Sequence, residues 1–240
     1  MPSAATATDP SLRSPVDSPV VNPVLPTRAA VRAVIPDDCF EISTARSFGH
    51  LAISLVPVVT LTLAAWAFLP LTWVWIPAWI AYAVVTGTAA IGLWVLAHEC
   101  GHGAFSTNRR LQDTVGFVLH TALLVPYFSW QRSHSVHHAK TNHLTEGETH
   151  VPRQNSAAGP AAKTSFRARV GRVIYGVISI LKMLLLGWPA YILFGATGGP
   201  ERGLTSHFLP HGRFSSDLFP ARWHRRVWLS AAGVAVVVGL

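Results

Sequence analysis

The stretch "WVWIPAWIAYAVVTGTAAIGLWVLAHECGH", residues 73–102, decides the fold. Residues 73–97 carry no charged side chain and are long enough, at about 20 residues or more, to cross the hydrocarbon core of a membrane as a helix. Upstream, "LAISLVPVVTLTLAAWAFL" (51–69) is likewise uncharged, and only "PLT" separates the two runs. So short a link makes a helical hairpin whose outer ends lie on the same side. Trp66, Trp73, Trp75 and Trp79 crowd around the link as an interfacial aromatic belt does.

Composition agrees. Charged residues make up 12% of the 240-residue chain, about half the roughly 25% usual for soluble domains. The net charge of +8 comes from sixteen Arg and three Lys against eleven acids. These cations flank the apolar runs rather than interleave with aromatics, which excludes a nucleic-acid partner and fits anionic membrane surfaces. Arg109, Arg110, Arg132, Lys140, Arg153, Lys163, Arg167, Arg169 and Arg172 follow the hairpin, and its connecting loop has none. Positive-inside counting therefore puts the N-terminus and residues 98–172 in the cytoplasm.

The remaining segments are read as follows. Six prolines in residues 1–26, and little periodicity, predict a disordered tail over 1–36, with 37–240 as the folded domain. Asp37 and Asp38 are candidate caps for a short helix reaching Arg46. Residues 173–195 are long enough to span, but Lys182 near the centre costs about 2.5–3.5 kcal/mol in hydrocarbon and Gly187-Trp188-Pro189 interrupts the run. An interfacial or re-entrant helix is expected there, keeping Arg202, Arg213, Arg222, Arg225 and Arg226 cytoplasmic. Residues 227–240 read as the start of a further span. Cys39 and Cys100 provide no disulfide framework.

Seven of the twelve histidines lie between positions 98 and 143. His98 and His102, spaced i, i+4, share one helix face and so can address one metal ion. His134, His137 and His138 repeat that spacing with one more imidazole. His120, His143 and His150 are weaker candidates, and His207, His211 and His224 are expected in loops. "HECGH" also matches the HExxH pattern of zinc proteases, in which Glu99 would be the general base. Five clustered imidazoles exceed what one catalytic zinc uses, because such a site keeps three protein ligands and one open position. They suit two metal ions. Glu99, Asp113, Glu146 and Glu148 are candidates to fix the second ring nitrogen of ligating histidines.

"HECGH" (98–102), "DTVGFVLHTALLVPYFSW" (113–130), "SHSVHH" (133–138) and "TEGETHVP" (145–152) together resemble the membrane fatty-acid desaturases, specifically the delta-12/omega-3 acyl-lipid branch. "AVIPDDCFEISTARSF" (33–48), "LGWPAYILFGATGGP" (186–200) and "TSHFLP" (205–210) are similar to the same branch. The resemblance implies an all-α integral membrane protein with a cytoplasmic helical cap bearing the histidine boxes. It implies two iron ions held by His98, His102, His134, His137 and His138. The implied reaction is oxygen-dependent desaturation of a membrane-bound fatty acyl chain, carried on a phospholipid or acyl-CoA, with delta-12 conversion of oleoyl to linoleoyl as the leading case. An omega-3 desaturase or a lipid hydroxylase is the alternative within the superfamily. Dioxygen is the oxidant, and electrons come from cytochrome b5 or a ferredoxin. The location implied is the endoplasmic reticulum, or a plastid or bacterial membrane. The family has a third box, HxxHH, and nothing after His143 matches it. The chain is thus expected to be truncated before the last helices, and these 240 residues alone are expected to bind iron poorly and to be inactive.

Overall fold

The computed structural model of the chain describes residues 25–151 and 166–240. Most of the expected disordered tail, residues 1–24, lies outside them. Two units separate at residues 41 and 42. In the first, the Thr27 side chain accepts a hydrogen bond from the Ala30 amide and starts helix α1, Arg28–Ala33. Asp37–Phe40 form a 3₁₀ turn, and the Arg32 guanidinium lies 3.9 Å from the centre of the Phe40 ring.

The second unit, residues 42–240, is all-helical among the described residues. Helix α2, Thr44–Phe68, begins at Ser43, whose hydroxyl accepts from the Arg46 amide. The expected cap at Asp37 and Asp38 is therefore corrected. Those residues sit in the 3₁₀ turn, and the short polar side chain immediately before the apolar run closes the helix end. A 3₁₀ turn, Trp73–Trp75, leads into helix α3, Ile76–His102. At 1.5 Å rise per residue, both helices exceed the roughly 30 Å hydrocarbon thickness. Trp66 and Trp73 are exposed beside the turn, and the Trp79 indole donates to the Pro70 carbonyl. At Gly92 a Cβ would stand 2.7 Å from the Ser54 hydroxyl, so the missing side chain sets how closely the two helices approach. Ile53, Val56, Leu63, Val84 and Ile91 stay exposed on this apolar hairpin, as lipid-facing residues must.

Helix α3 runs on past the uncharged run to His102, so the first histidine box occupies its last turn, as the i, i+4 spacing expects. Gly103, at φ 83, takes the left-handed conformation that stops it. Helix α4, Arg109–Ala122, is capped by Asn108, whose side chain accepts from the amides of Arg110 and Leu111. Asn108→Ala is expected to cost about 1 kcal/mol of stability, seen as a lower melting temperature in detergent. Helix α5, Tyr127–Ala139, carries the second box. Its far side packs Val136 against Leu218, Phe219 and Val227, and its Phe128 amide donates to Ser230. The latter two partners bring in α8, Ala221–Val238, the helix formed by the final apolar run.

Between α5 and α8 lies a continuous helical rod. It comprises α6, Arg172–Lys182, a π-turn at Met183–Gly187 and α7, Trp188–Phe194. The expected interruption at Gly187 is therefore a widened turn and not a break. Among the described residues, three helical stretches are long and apolar enough to cross a membrane: Thr44–Phe68, Trp73–His102 and Arg172–Phe194. The protein is an all-α integral membrane protein.

Candidate metal centre

The last turn of α3 and the middle of α5 face each other, and the two histidine boxes meet between them. His102 Nε2 lies 3.3 Å from His98 Nε2 and 3.1 Å from His134 Nε2; His134 Nε2 lies 3.0 Å from His138 Nε2. One ring nitrogen from each of these four residues falls within 4.8 Å of the others. A neutral Nε2 offers either one hydrogen or one lone pair. Four of them in a row can satisfy only two of three such contacts. The remaining close contact is left without a hydrogen bond of its own, and a shared cation accepting all four lone pairs removes that deficit. Metal–nitrogen bonds of about 2.0–2.1 Å put neighbouring ligand nitrogens about 3.0–3.4 Å apart. The four imidazoles fit one metal ion.

The second nitrogen of His98 is fixed. Its Nδ1 lies 2.9 Å from the Glu99 carboxylate, which holds the proton on Nδ1 and turns the Nε2 lone pair inward. Two indoles wall the group. Trp130 stacks on His134 with ring centres 4.5 Å apart, and Trp94 stacks on His98 at 5.6 Å. Burial, followed by the surrounding imidazoles, pushes His134 down to about 3, so it remains a neutral donor at physiological pH. Glu99→Gln keeps a hydrogen-bonding side chain but weakens its hold on the Nδ1 proton. We expect a loss of about tenfold or more in metal affinity, measured by cobalt(II) titration in detergent.

Not every expected residue joins the group. His137 sits one turn from His134 but about 60° around the helix, so it points aside. Burial, with His138 and His150 nearby, holds its imidazole below the usual range. His120 is completely buried against Trp94, Tyr127 and Trp130, and burial lowers it to about 3. His143 closes its own loop, its Nδ1 accepting from the Glu146 amide at 3.0 Å. Of the four candidate carboxylates, Glu99 alone contacts a box histidine among the described residues. Asp113 accepts from Tyr127 and Gln131, and Glu146 pairs with Lys140.

Glu148 belongs to a buried network behind the second box. The Tyr191 hydroxyl donates to its carboxylate at 3.0 Å and also meets Ser133, which His207 Nε2 approaches at 2.9 Å. All four side chains are buried. His207 lies in a loop, as expected, yet it is fully enclosed and its Nε2 is engaged by α5. Ser133 and Tyr191 were not expected to have roles. Tyr191 lies in "LGWPAYILFGATGGP" and Ser133 opens "SHSVHH", stretches that carry the family resemblance without giving either residue a role.

The protease reading of HECGH finds no support in this geometry. The second box fills the coordination position a zinc protease leaves open, and Glu99 faces an imidazole where a general base would face a water.

Residues 73–240 match the family model described as fatty acid desaturase. The chain is similar to a "Delta(12) fatty acid desaturase" of Mortierella isabellina, 38% identical over 87% of this chain and 54% of the relative. It is 37% identical to a "Delta(12)-fatty-acid desaturase" of Arabidopsis thaliana, over 88% of this chain and 53% of the relative. It is 36% identical to an "Omega-6 fatty acid desaturase, endoplasmic reticulum isozyme 2" of Glycine max, over 97% of this chain and 58% of the relative. The chain thus spans about half the length of the curated relatives it matches. No solved structure matches it.

Proposed function

Because the chain belongs to the fatty acid desaturase family, we propose that the whole protein introduces a double bond into a membrane-bound fatty acyl chain, converting oleoyl to linoleoyl at the delta-12 position. The observation that carries this reading is the meeting of His98, His102, His134 and His138 at the membrane end of α3. Two iron ions are the proposed cofactor. When bound, they supply the dioxygen chemistry that an unactivated methylene pair requires and that acid–base side chains lack. The four imidazoles would hold one ion, and His137, turned aside, is available to the other. Glu99 sets the His98 tautomer, and Trp94 and Trp130 keep apolar walls against the group.

The balance of the reaction defines the partners. The acyl chain gives up two hydrogens, a donor supplies two electrons, solvent supplies two protons, and dioxygen leaves as two waters. The acyl carrier is a phospholipid or acyl-CoA, and the donor is cytochrome b5 or a ferredoxin. We place the histidine boxes on the cytoplasmic side of the endoplasmic reticulum. The excess of Arg and Lys after α3 supports that side, and the name of the soybean relative supports that membrane.

The segment 173–195 is proposed to lie in or re-enter that same face. Two hydrogen bonds support this. Thr149 and Thr197 bond side chain to side chain at 2.7 Å, and the Val151 amide donates to the Thr197 carbonyl. The chain thus leaves and returns to one spot. Arg172, Tyr175, Ser179 and Lys182 recur at helical spacing along one side of α6, opposite the exposed Val173, Ile174, Val177, Ile180 and Leu181, as an interfacial helix requires.

Expression of the whole protein in yeast, followed by fatty-acid profiling, tests the activity. A new diunsaturated eighteen-carbon acid with its second bond at position 12 is expected. A profile identical to the empty vector, with the protein present and loaded with iron, would refute it.

A further inference from the structure

Ser133 precedes His137 by four residues, which puts the two on one side of α5. Behind Ser133 runs the buried network of His207, Tyr191 and Glu148, and counting hydrogens gives it a direction. Once ionised, the Glu148 carboxylate can only accept, so it takes the one hydrogen of the Tyr191 hydroxyl, at 3.0 Å. Tyr191 then accepts from Ser133, which shares its hydrogen between Tyr191 and the Trp130 carbonyl, both at 3.0 Å. Ser133 in turn accepts from His207 Nε2 at 2.9 Å. One chain of donors, from His207 through Ser133 and Tyr191 to Glu148, ties α5 to α7 and to the loop that follows α5.

The far end of this chain lies next to His137. Thr149 follows Glu148, and its backbone hydrogen-bonds the His137 ring. The loop is pinned on its other side as well. The Thr149 and Thr197 hydroxyls meet at 2.7 Å, and the Val151 amide donates to the Thr197 carbonyl at 3.1 Å. Between them His150 is held at φ 54, a left-handed conformation that residues other than glycine disfavour. A strained loop, fastened on both sides of Thr149, thus presents its backbone to one imidazole. A ligating histidine needs a fixed partner of this kind for its second ring nitrogen, and for His98 that partner is Glu99.

We propose that Tyr191 and Glu148 are positioning residues for His137, fixing the loop backbone that orients this imidazole toward the second metal ion. The inference rests on the proposed function, which calls for two ions. Glu99 serves the ion of the four imidazoles, and the Tyr191–Glu148 bond serves the other. The competing account is that the network only fastens α7 to α5. Its loss would then loosen α5 as a whole, and His134, His137 and His138 together.

Cobalt(II) titration of the whole protein in detergent, read by the visible absorption of the bound ion, separates the two accounts. Wild type is expected to take up two equivalents. Tyr191→Phe removes one oxygen and leaves a ring to pack on His207. It should weaken one equivalent by about tenfold or more and change the other by less than about twofold. The unchanged equivalent shows that the fold is intact. In the His137→Ala background, adding Tyr191→Phe should change nothing further, because the ring it orients is gone. Glu148→Gln keeps an acceptor for Tyr191 and should bind both equivalents within about threefold of wild type. The proposal is overturned if wild type takes up one equivalent only, or if Tyr191→Phe weakens both alike or neither. It is also overturned if Tyr191→Phe still weakens binding without His137, or if Glu148→Gln loses as much as Tyr191→Phe. Failure of the functional reading would appear instead in the yeast fatty-acid profile, which these titrations do not use.

Discussion

His134→Ala is expected to reduce metal affinity by at least about a hundredfold and to abolish desaturation in the whole protein. His134 is the hub of the group, its Nε2 approaching both His102 and His138. Without it, the two imidazoles of α3 keep each other, and His138 loses its neighbour. Removing a partner outside the coordination sphere costs about 10–100-fold in metal affinity, and removing a ligand costs more. The metal-free protein should melt no lower than wild type. The substitution removes the one close contact of the row that has no hydrogen bond of its own, which offsets the lost stacking on Trp130. Cobalt(II) titration in detergent measures the affinity, with His143→Ala as the control because that ring only closes its own loop. Equal cobalt affinity in wild type and His134→Ala would show that the four imidazoles are not the metal site.

Glu148→Gln should make the protein more stable near pH 8 and remove a pH dependence that wild type shows. Burial raises the Glu148 carboxyl from 4.5 to about 7. A raised acid favours the folded state when protonated. Its contribution is complete below about pH 4.5 and fades as pH rises through about 7, by roughly 3 kcal/mol in all. Melting temperatures in detergent between pH 5 and about 8 should therefore fall for wild type and stay level for Glu148→Gln. The amide retains an oxygen to accept from Tyr191, so the contact behind the second box survives. Parallel curves for the two proteins would mean that Glu148 stays charged in the fold.

Much of this was legible in the sequence, and the reason is periodicity. An uncharged run of membrane length has one stable solution, a helix, so the α2–α3 hairpin follows from residues 51–97. Spacing of i, i+4 likewise places His98 beside His102 and His134 beside His138. The same rule leaves adjacent residues about 100° apart, so His137 and His138 cannot both face one centre. Which of the two turns inward depends on the rotation of α5, and the packing of Val136 against Leu218, Phe219 and Val227 sets that rotation. Composition gave no sign of this, since the partners lie more than eighty residues away.

The residues behind the site were hidden for the same reason. Ser133, Glu148, Tyr191 and His207 are separated by up to 74 residues and follow no common repeat. Glu148 is a candidate partner of the box histidines and His207 a loop residue when read singly, and burial joins them with Ser133 and Tyr191 in one network. By itself, the sequence determined the membrane class, the family and the two histidine pairs, because helix geometry is local. Only the tertiary structure decided that the pairs converge, that Glu99 serves His98, and that His137 stands apart, because those outcomes depend on how distant helices pack.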